Sequence, residues 1–202
     1  MILKGKYVTL RPIEKEDLEL MRELINDPDM ERMIVGWTLP ISSKDQENWF
    51  SSFRNSDTTI RYIIENAIEG TVGFTGITDI DWKNGCAKGT GIRISKKCQN
   101  NGMATDAYMT MLRYVFEELR LHRFEESAVE YNVASQRFIE KCGFKREGVE
   151  RECVFKEGRY HNKIIFAILK SDYDELLINN DYWNYPNKNE VFLSSSTRLQ
   201  KE

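Results

Sequence analysis

The chain has little of what builds many kinds of site. Only two of its 202 residues are histidines, His122 and His161, so a histidine-rich metal centre is not expected. Its four cysteines (Cys86, Cys98, Cys142 and Cys153) stand singly, with no CxxC pair. That spacing argues against a disulfide framework and for reduced thiols in a cytoplasmic protein. No run of about 20 apolar residues occurs, so no membrane span is expected. Met1 to Lys6 lack the apolar core of a signal peptide. Neither sign of charge dominates: 29 basic against 32 acidic residues leave −3. That balance carries no nucleic-acid footprint and favours cationic partners only weakly. The GxxxxGK[ST] phosphate loop is absent, and Gly89-Thr90-Gly91 leads into a strand rather than a helix. Both nucleotide fingerprints are therefore missing, which speaks against a dinucleotide-dependent oxidoreductase.

What remains has the composition of one globular domain, 41% hydrophobic and 30% charged. Tyr7 to Arg11 reads as a strand stopped by Pro12. Residues 14–26 read as a helix with the apolar stripe Leu18, Met21, Leu24 and Ile25. Ser43-Lys44-Asp45-Gln46 has the form of a capping box opening a second helix. Strands follow at 59–65, 71–80 and 88–95, the last two joined by a turn carrying Asn84-Gly85. A long helical pattern runs from Ala104 to about Leu119, then a strand at 124–130 and a helix at 132–141 stopped before Gly143. Two last strands flank a turn at Lys156-Glu157-Gly158, with His161 expected to be exposed beside it. The order predicts an α/β (α+β mixed) fold, a mixed sheet with helices on both faces. Residues 182–202 are poor in apolar positions and read as a surface extension.

One segment stands out chemically. At Ile92 to Ala107 a strand ends, a polar turn carries Gly102, and a long helix starts with the small residues Ala104, Thr105 and Ala107. Free amides and the helix dipole make such a start an anion site. By chemistry alone it suits an ordinary strand-to-helix turn equally well.

Gln99-Asn100-Asn101-Gly102-Met103-Ala104 resembles the Q/R-x-x-G-x-G/A signature of the GCN5-related N-acetyltransferases. The later Asn132-Val133-Ala134-Ser135 and Cys142-Gly143-Phe144 resemble the N-x-x-S…GF segment of their ribosomal-protein N-acetyltransferase-like (RimJ/RimL-type) branch. Leu121-His122-Arg123, Glu147-Gly148 and the opening Val8 to Pro12 point the same way. The resemblance implies a GNAT domain over residues 1–172 and a C-terminal extension, 173–202, of unassigned role. It implies a central, mostly antiparallel sheet of about seven strands, splayed at the acetyl-CoA site. The backbone of Ile92, Arg93 and Ile94 would bond the pantetheine arm. The loop Gln99, Asn100, Asn101, Gly102, Met103, Ala104 and Thr105 would hold the pyrophosphate. Asn132 would reach the pantetheine, and Lys141 or Arg137 the 3′-phosphate. No metal is implied.

The implied reaction moves acetyl from acetyl-CoA to a primary amine by direct attack in a ternary complex. The expected acceptor is a protein N-terminal α-amino group. A polyamine, aminosugar or aminoglycoside is the alternative, and a non-catalytic acyl-CoA-binding module a further rival. A homodimer is among the expected assemblies; nucleic acid and membrane are not expected partners. The tyrosine that many family members carry seven residues after the motif asparagine is replaced by Ile139, next to Phe138. Ser135 is then the expected partner of the leaving sulfur. A base must take a proton from the amine. Glu126 and Glu130 are the catalytic acids favoured here, although a regular strand turns both away from Ser127. Asp79, Asp81 and Glu65 are further acids in reach of an amine site. Trp37, Trp49 and Trp82 are expected to pack in the core or against the hairpin rather than line the acceptor site.

Overall fold

The computed structural model describes residues 1–36 and 38–179. Strands β1 (Leu3–Lys4), β2 (Val8–Arg11), β3 (Ile60–Asn66), β4 (Gly70–Asp81), β5 (Cys86–Ile94), β6 (Arg123–Val129), β7 (Lys145–Lys156) and β8 (Arg159–Leu169) form one sheet. Their order across it is β1-β2-β3-β4-β5-β6-β8-β7. Every pairing is antiparallel except β5 with β6. The expected architecture is therefore present, with eight strands rather than about seven.

The helices are α1 (Leu18–Asn26), α2 (Pro28–Met33), α3 (Ser43–Ser52), α4 (Met103–Arg113), α5 (Val133–Lys141) and α6 (Lys170–Asn179). On one face of the sheet, α4 closes a core that includes Ile64, Tyr108, Phe124, Phe144 and Phe166. On the other, Leu18, Met21 and Leu24 of α1 pack on Ile63 and Phe74. No described helix is long and apolar enough to cross a membrane.

Several local expectations shift. The capping box lies one residue earlier: the Asp45 amide donates to Ser42 Oγ (3.1 Å), and the Ser42 amide donates to Asp45 Oδ2 (3.0 Å). Asp27 caps α2, which the sequence pattern did not show because six residues are too few to establish a period. The long helix changes to a π-helical turn at Tyr114–Glu118. The compact body also continues past residue 172. Tyr173 of α6 is fully buried and stacks on Phe116 at 5.1 Å between ring centroids. Residues 180–202, with Trp183, Tyr185, Val191 and Phe192, lie outside the described residues, as does Trp37.

His161 is a correction. It is 4% exposed, its ring 4.7 Å from that of Tyr131 in edge-on contact. The reason is register: His161 pairs with Val154 inside the β7–β8 ladder, past the turn, where alternate side chains point inward.

The start of α4 is tied to the first strands by one carboxylate. Asp106 is fully buried and accepts the backbone amides of Lys6 (2.9 Å), Tyr7 (2.6 Å) and Val8 (2.9 Å). A bond set of that kind holds the β1–β2 turn against the helix.

Candidate active site

The parallel pairing of β5 and β6 is short. It joins Cys86 to Arg123, Ala87 to Phe124 and Lys88 to Glu125, and then ends. Beyond Lys88 the strands part, so Ile92, Arg93 and Ile94 keep ladder partners on β4 and none on β6. A cleft of about 1130 Å³ opens there. That volume lies just above the usual range of small-molecule sites and suits a long ligand. Backbone donors and acceptors on an unpaired strand edge are ready to take an added extended segment.

The loop at the mouth of the cleft is shaped for an anion. Asn100 and Gly102 both have left-handed backbone, φ 61° and 87°. That curls the chain so that α4 begins toward the cleft. The Asp106 amide makes the first helical bond, to Gly102 O (3.0 Å). The amides of Ala104 and Thr105, one turn ahead, have no intrahelical acceptor and are free for a ligand. The Gln99 side chain ties the loop back to Ile94 O (3.1 Å). Gln99, Asn100, Gly102, Ala104 and Thr105 line the cleft, while Asn101 and Met103 do not. Asn101 accepts the Met103 amide (3.2 Å) and so stiffens the turn.

The far wall is α5 and the segment 29–36. Asn132 caps α5, accepting the Ser135 amide (3.0 Å) and donating to Met33 O (2.9 Å). Its side chain thus serves the fold at both ends. Asn132, Ser135, Arg137 and Lys141 all line the cleft. Buried Lys156 anchors the 29–36 segment, bonding Gly36 O (2.9 Å) and Glu31 O (3.0 Å) and pairing with the Glu31 carboxylate.

The acids separate sharply. Glu126 is 7% exposed, lines the cleft, and sits where the strands diverge. Its carboxylate accepts the Gly91 amide (3.3 Å) and a hydrogen bond from the Tyr108 hydroxyl. Burial pushes it up to about 7, against the pull of the Ser127 and Gly91 amides. A carboxyl poised near neutrality in a cleft is the signature of a proton-transfer group. Glu130 does not line the cleft. It accepts from Asn162 Nδ2 (2.7 Å) and faces His161 Nδ1 (3.3 Å), and the Asn162 bonds hold it below the usual carboxylate range. Glu65 pairs with Arg11 (2.9 Å), Asp79 with Lys88 (3.1 Å), and Asp81 caps its own turn through Asn84. None of these three borders the cleft. Trp49 stacks on Phe53 at 4.8 Å and packs on the α1-side core as expected, whereas Trp82 is 50% exposed and donates to Asp57 O (2.7 Å).

Two participants were not picked out from the sequence. Tyr108 sits fully buried on α4, its ring 5.1 Å from Phe138 and edge-on to it. Its hydroxyl is directed at the Glu126 carboxylate. Gly89 is the second. A Cβ there would overlap the Glu126 carboxylate and the Tyr108 hydroxyl. Nothing local to Tyr108 or Gly89 in the sequence shows what lies opposite.

A parallel strand pair that splays over a helix-start anion loop suits an extended, phosphate-bearing ligand, as an acyl-CoA-dependent transferase requires. The comparisons agree: residues 8–145 match the acetyltransferase (GNAT) domain family, and the chain belongs to it. It is 27% identical over 170 residues to an SPbeta prophage-derived N-acetyltransferase of Bacillus subtilis, covering 84% of this chain and 94% of that one. It is 25% identical over 177 residues to YdaF of Bacillus subtilis, which is named for ribosomal N-acetylation (84% and 95% covered). Among solved structures, spermidine N-acetyltransferase from Vibrio cholerae with CoA and spermine superposes with a TM-score of 0.76 at 26% identity, covering 84% and 99%. The chain is an N-acetyltransferase of this family.

Proposed function

We propose that this chain acetylates a protein N-terminal α-amino group, in the manner of the ribosomal-type branch, with Glu126 as the base. The observation that carries the reading is Glu126, a buried carboxyl near neutral pKa at the point where β5 and β6 part. Acetyl-CoA supplies an activated acyl carbonyl and a thiolate leaving group. The pantetheine arm lies along Ile92, Arg93 and Ile94, and the pyrophosphate on the Gln99–Thr105 loop. Lys141 and Arg137 face the 3′-phosphate. The arriving amine must be neutral to attack, so Glu126 takes its proton, directly or through one water. As the N–C bond forms and the C–S bond breaks, a β5 amide near Ile94 stabilises the oxyanion. Ser135, on the first turn of α5, donates to the departing sulfur. Glu130 has no part in this step, since it lies off the cleft.

The ribosomal-type acceptor is supported by the Asn132 and Ser135 pattern and by the likeness to YdaF. A second reading, a polyamine acceptor, is favoured by the likeness to the Vibrio enzyme solved with spermine. Thiol release from acetyl-CoA against peptides with Ala or Ser N-termini, aminoglycosides and spermidine separates them. Peptide-stimulated release supports the first reading; release confined to spermidine overturns it.

A further inference from the structure

On the sheet face opposite α4, two arginines stand close together, and among the described residues nothing is hydrogen-bonded to their guanidinium groups. Arg93 of β5 pairs with Phe74 of β4, and its guanidinium lies 5.7 Å from the Phe74 ring centre. Its Nη1 is buried and has no hydrogen-bond partner. Arg61 of β3 stands diagonally across, opposite Gly76. Both arginines are half-buried, and burial pulls both below the usual arginine range, Arg93 further through the charge of Arg61. The acid whose charge reaches Arg93 is Glu31, but the Glu31 carboxylate is already paired with Lys156. Gly76 and Gly91 add no side chains, and the space above Gly91 is open.

This arrangement is costly as it stands. Two half-buried like charges, with no carboxylate bonded to either among the described residues, oppose folding. A planar guanidinium matches a carboxylate with two parallel bonds, and an aromatic ring beneath it fixes its orientation. Arg93 lines the cleft together with the 29–36 segment; Arg61 does not itself border it and acts on Arg93 through its charge.

We propose that Arg93, reinforced by the neighbouring charge of Arg61, forms an anion subsite for the acceptor, so that the amine this enzyme acetylates carries a carboxylate. This rests on the acetyltransferase reading and narrows it. The carboxylate belongs either to a free amino acid or to an acidic side chain near a peptide N-terminus. A polyamine, cationic throughout, meets repulsion at the same place.

The test is equilibrium binding of acetylated products to the CoA-loaded protein by calorimetry. The probes are N-acetyl-L-glutamate and an acetyl-Ser-Glu peptide amide, each against the same molecule with its side-chain and free α-carboxylates amidated, with N-acetylspermidine as the cationic control. At least one carboxylate form binds about tenfold or more tightly than its amide. The preference disappears in R61Q/R93Q, a variant checked by circular dichroism to be folded. The amino-acid and peptide arms identify which source is used. Equal affinity of both amidated and free forms overturns the proposal, as does tightest binding of N-acetylspermidine. Loss of CoA affinity alone in R61Q/R93Q also overturns it, because the arginines then serve the cosubstrate. A carboxylate preference without acetyl transfer to any amine leaves the subsite standing and refutes the proposed function instead.

Discussion

The Glu126 carboxylate occupies the volume that a side chain at Gly89 would fill. The two residues face each other across the widening gap between β5 and β6, one strand lending space and the other a charge. The backbone at Gly89 is not left-handed, so the glycine is there for clearance rather than for φ. Gly89→Ala pushes the carboxylate aside, and kcat falls about 10²-fold or more while the fold persists. An unchanged kcat in a folded G89A protein removes Glu126 from the mechanism.

The pH dependence follows from the same group. Amine attack needs Glu126 ionised, so kcat/KM rises with pH up to about 7 and then levels. Glu126→Gln loses this limb and about 10²–10⁴ in rate. Stability moves the other way. Burial raises the folded carboxyl above its ordinary 4.5, so the folded chain keeps the proton longer than the unfolded one. The contribution is full below pH 4.5 and is lost as pH rises through about 7, by roughly 3 kcal/mol. Urea unfolding across pH 4–8 shows this decline in the wild type and its absence in E126Q.

Tyr108 stabilises the ionised carboxylate by donating to it. Tyr108→Phe removes that donor and raises the Glu126 pKa further. The rising limb of the rate profile shifts to higher pH, with the plateau rate less affected. A profile unmoved from wild type argues that the hydroxyl serves packing alone.

Asn132 and Ser135 divide two tasks that sequence alone merges. Asn132→Ala loses a cap and the link to Met33, costing about 1 kcal/mol of stability and raising KM for acetyl-CoA. Ser135→Ala keeps the cap, whose donor is the Ser135 backbone, and lowers kcat about tenfold. Thermal melts paired with steady-state kinetics separate the two.

Asp106 offers a purely structural contrast. Asp106→Ala leaves the amides of Lys6, Tyr7 and Val8 without their acceptor. Stability drops by roughly 3 kcal/mol or more in urea titration, and proteolysis within residues 1–8 speeds up.

Much of the protein is written locally. The alternation of Val8 to Arg11, the stripe of α1, the Asn84-Gly85 turn and Gly143 after α5 each encode their element within a few residues. The Gln99–Ala104 loop does the same for the proposed phosphate site, because a helix start and a left-handed glycine need only neighbouring residues. What no window of sequence could show is which residues meet across strands and helices. Glu126 is a base candidate rather than one surface acid among several because β6 parts from β5 at that residue and α4 brings Tyr108 over it. Glu130, four positions on, is turned to Asn162 by the β6–β8 ladder. His161 is buried and Arg61 stands beside Arg93 for the same reason: ladder register joins residues tens of positions apart. The sequence alone determined the elements and the shape of the Gln99–Ala104 loop, whose causes are short-range. The tertiary fold alone decided the burial of Glu126, its clearance at Gly89 and the placement of Arg61 beside Arg93, which depend on partners distant in the chain.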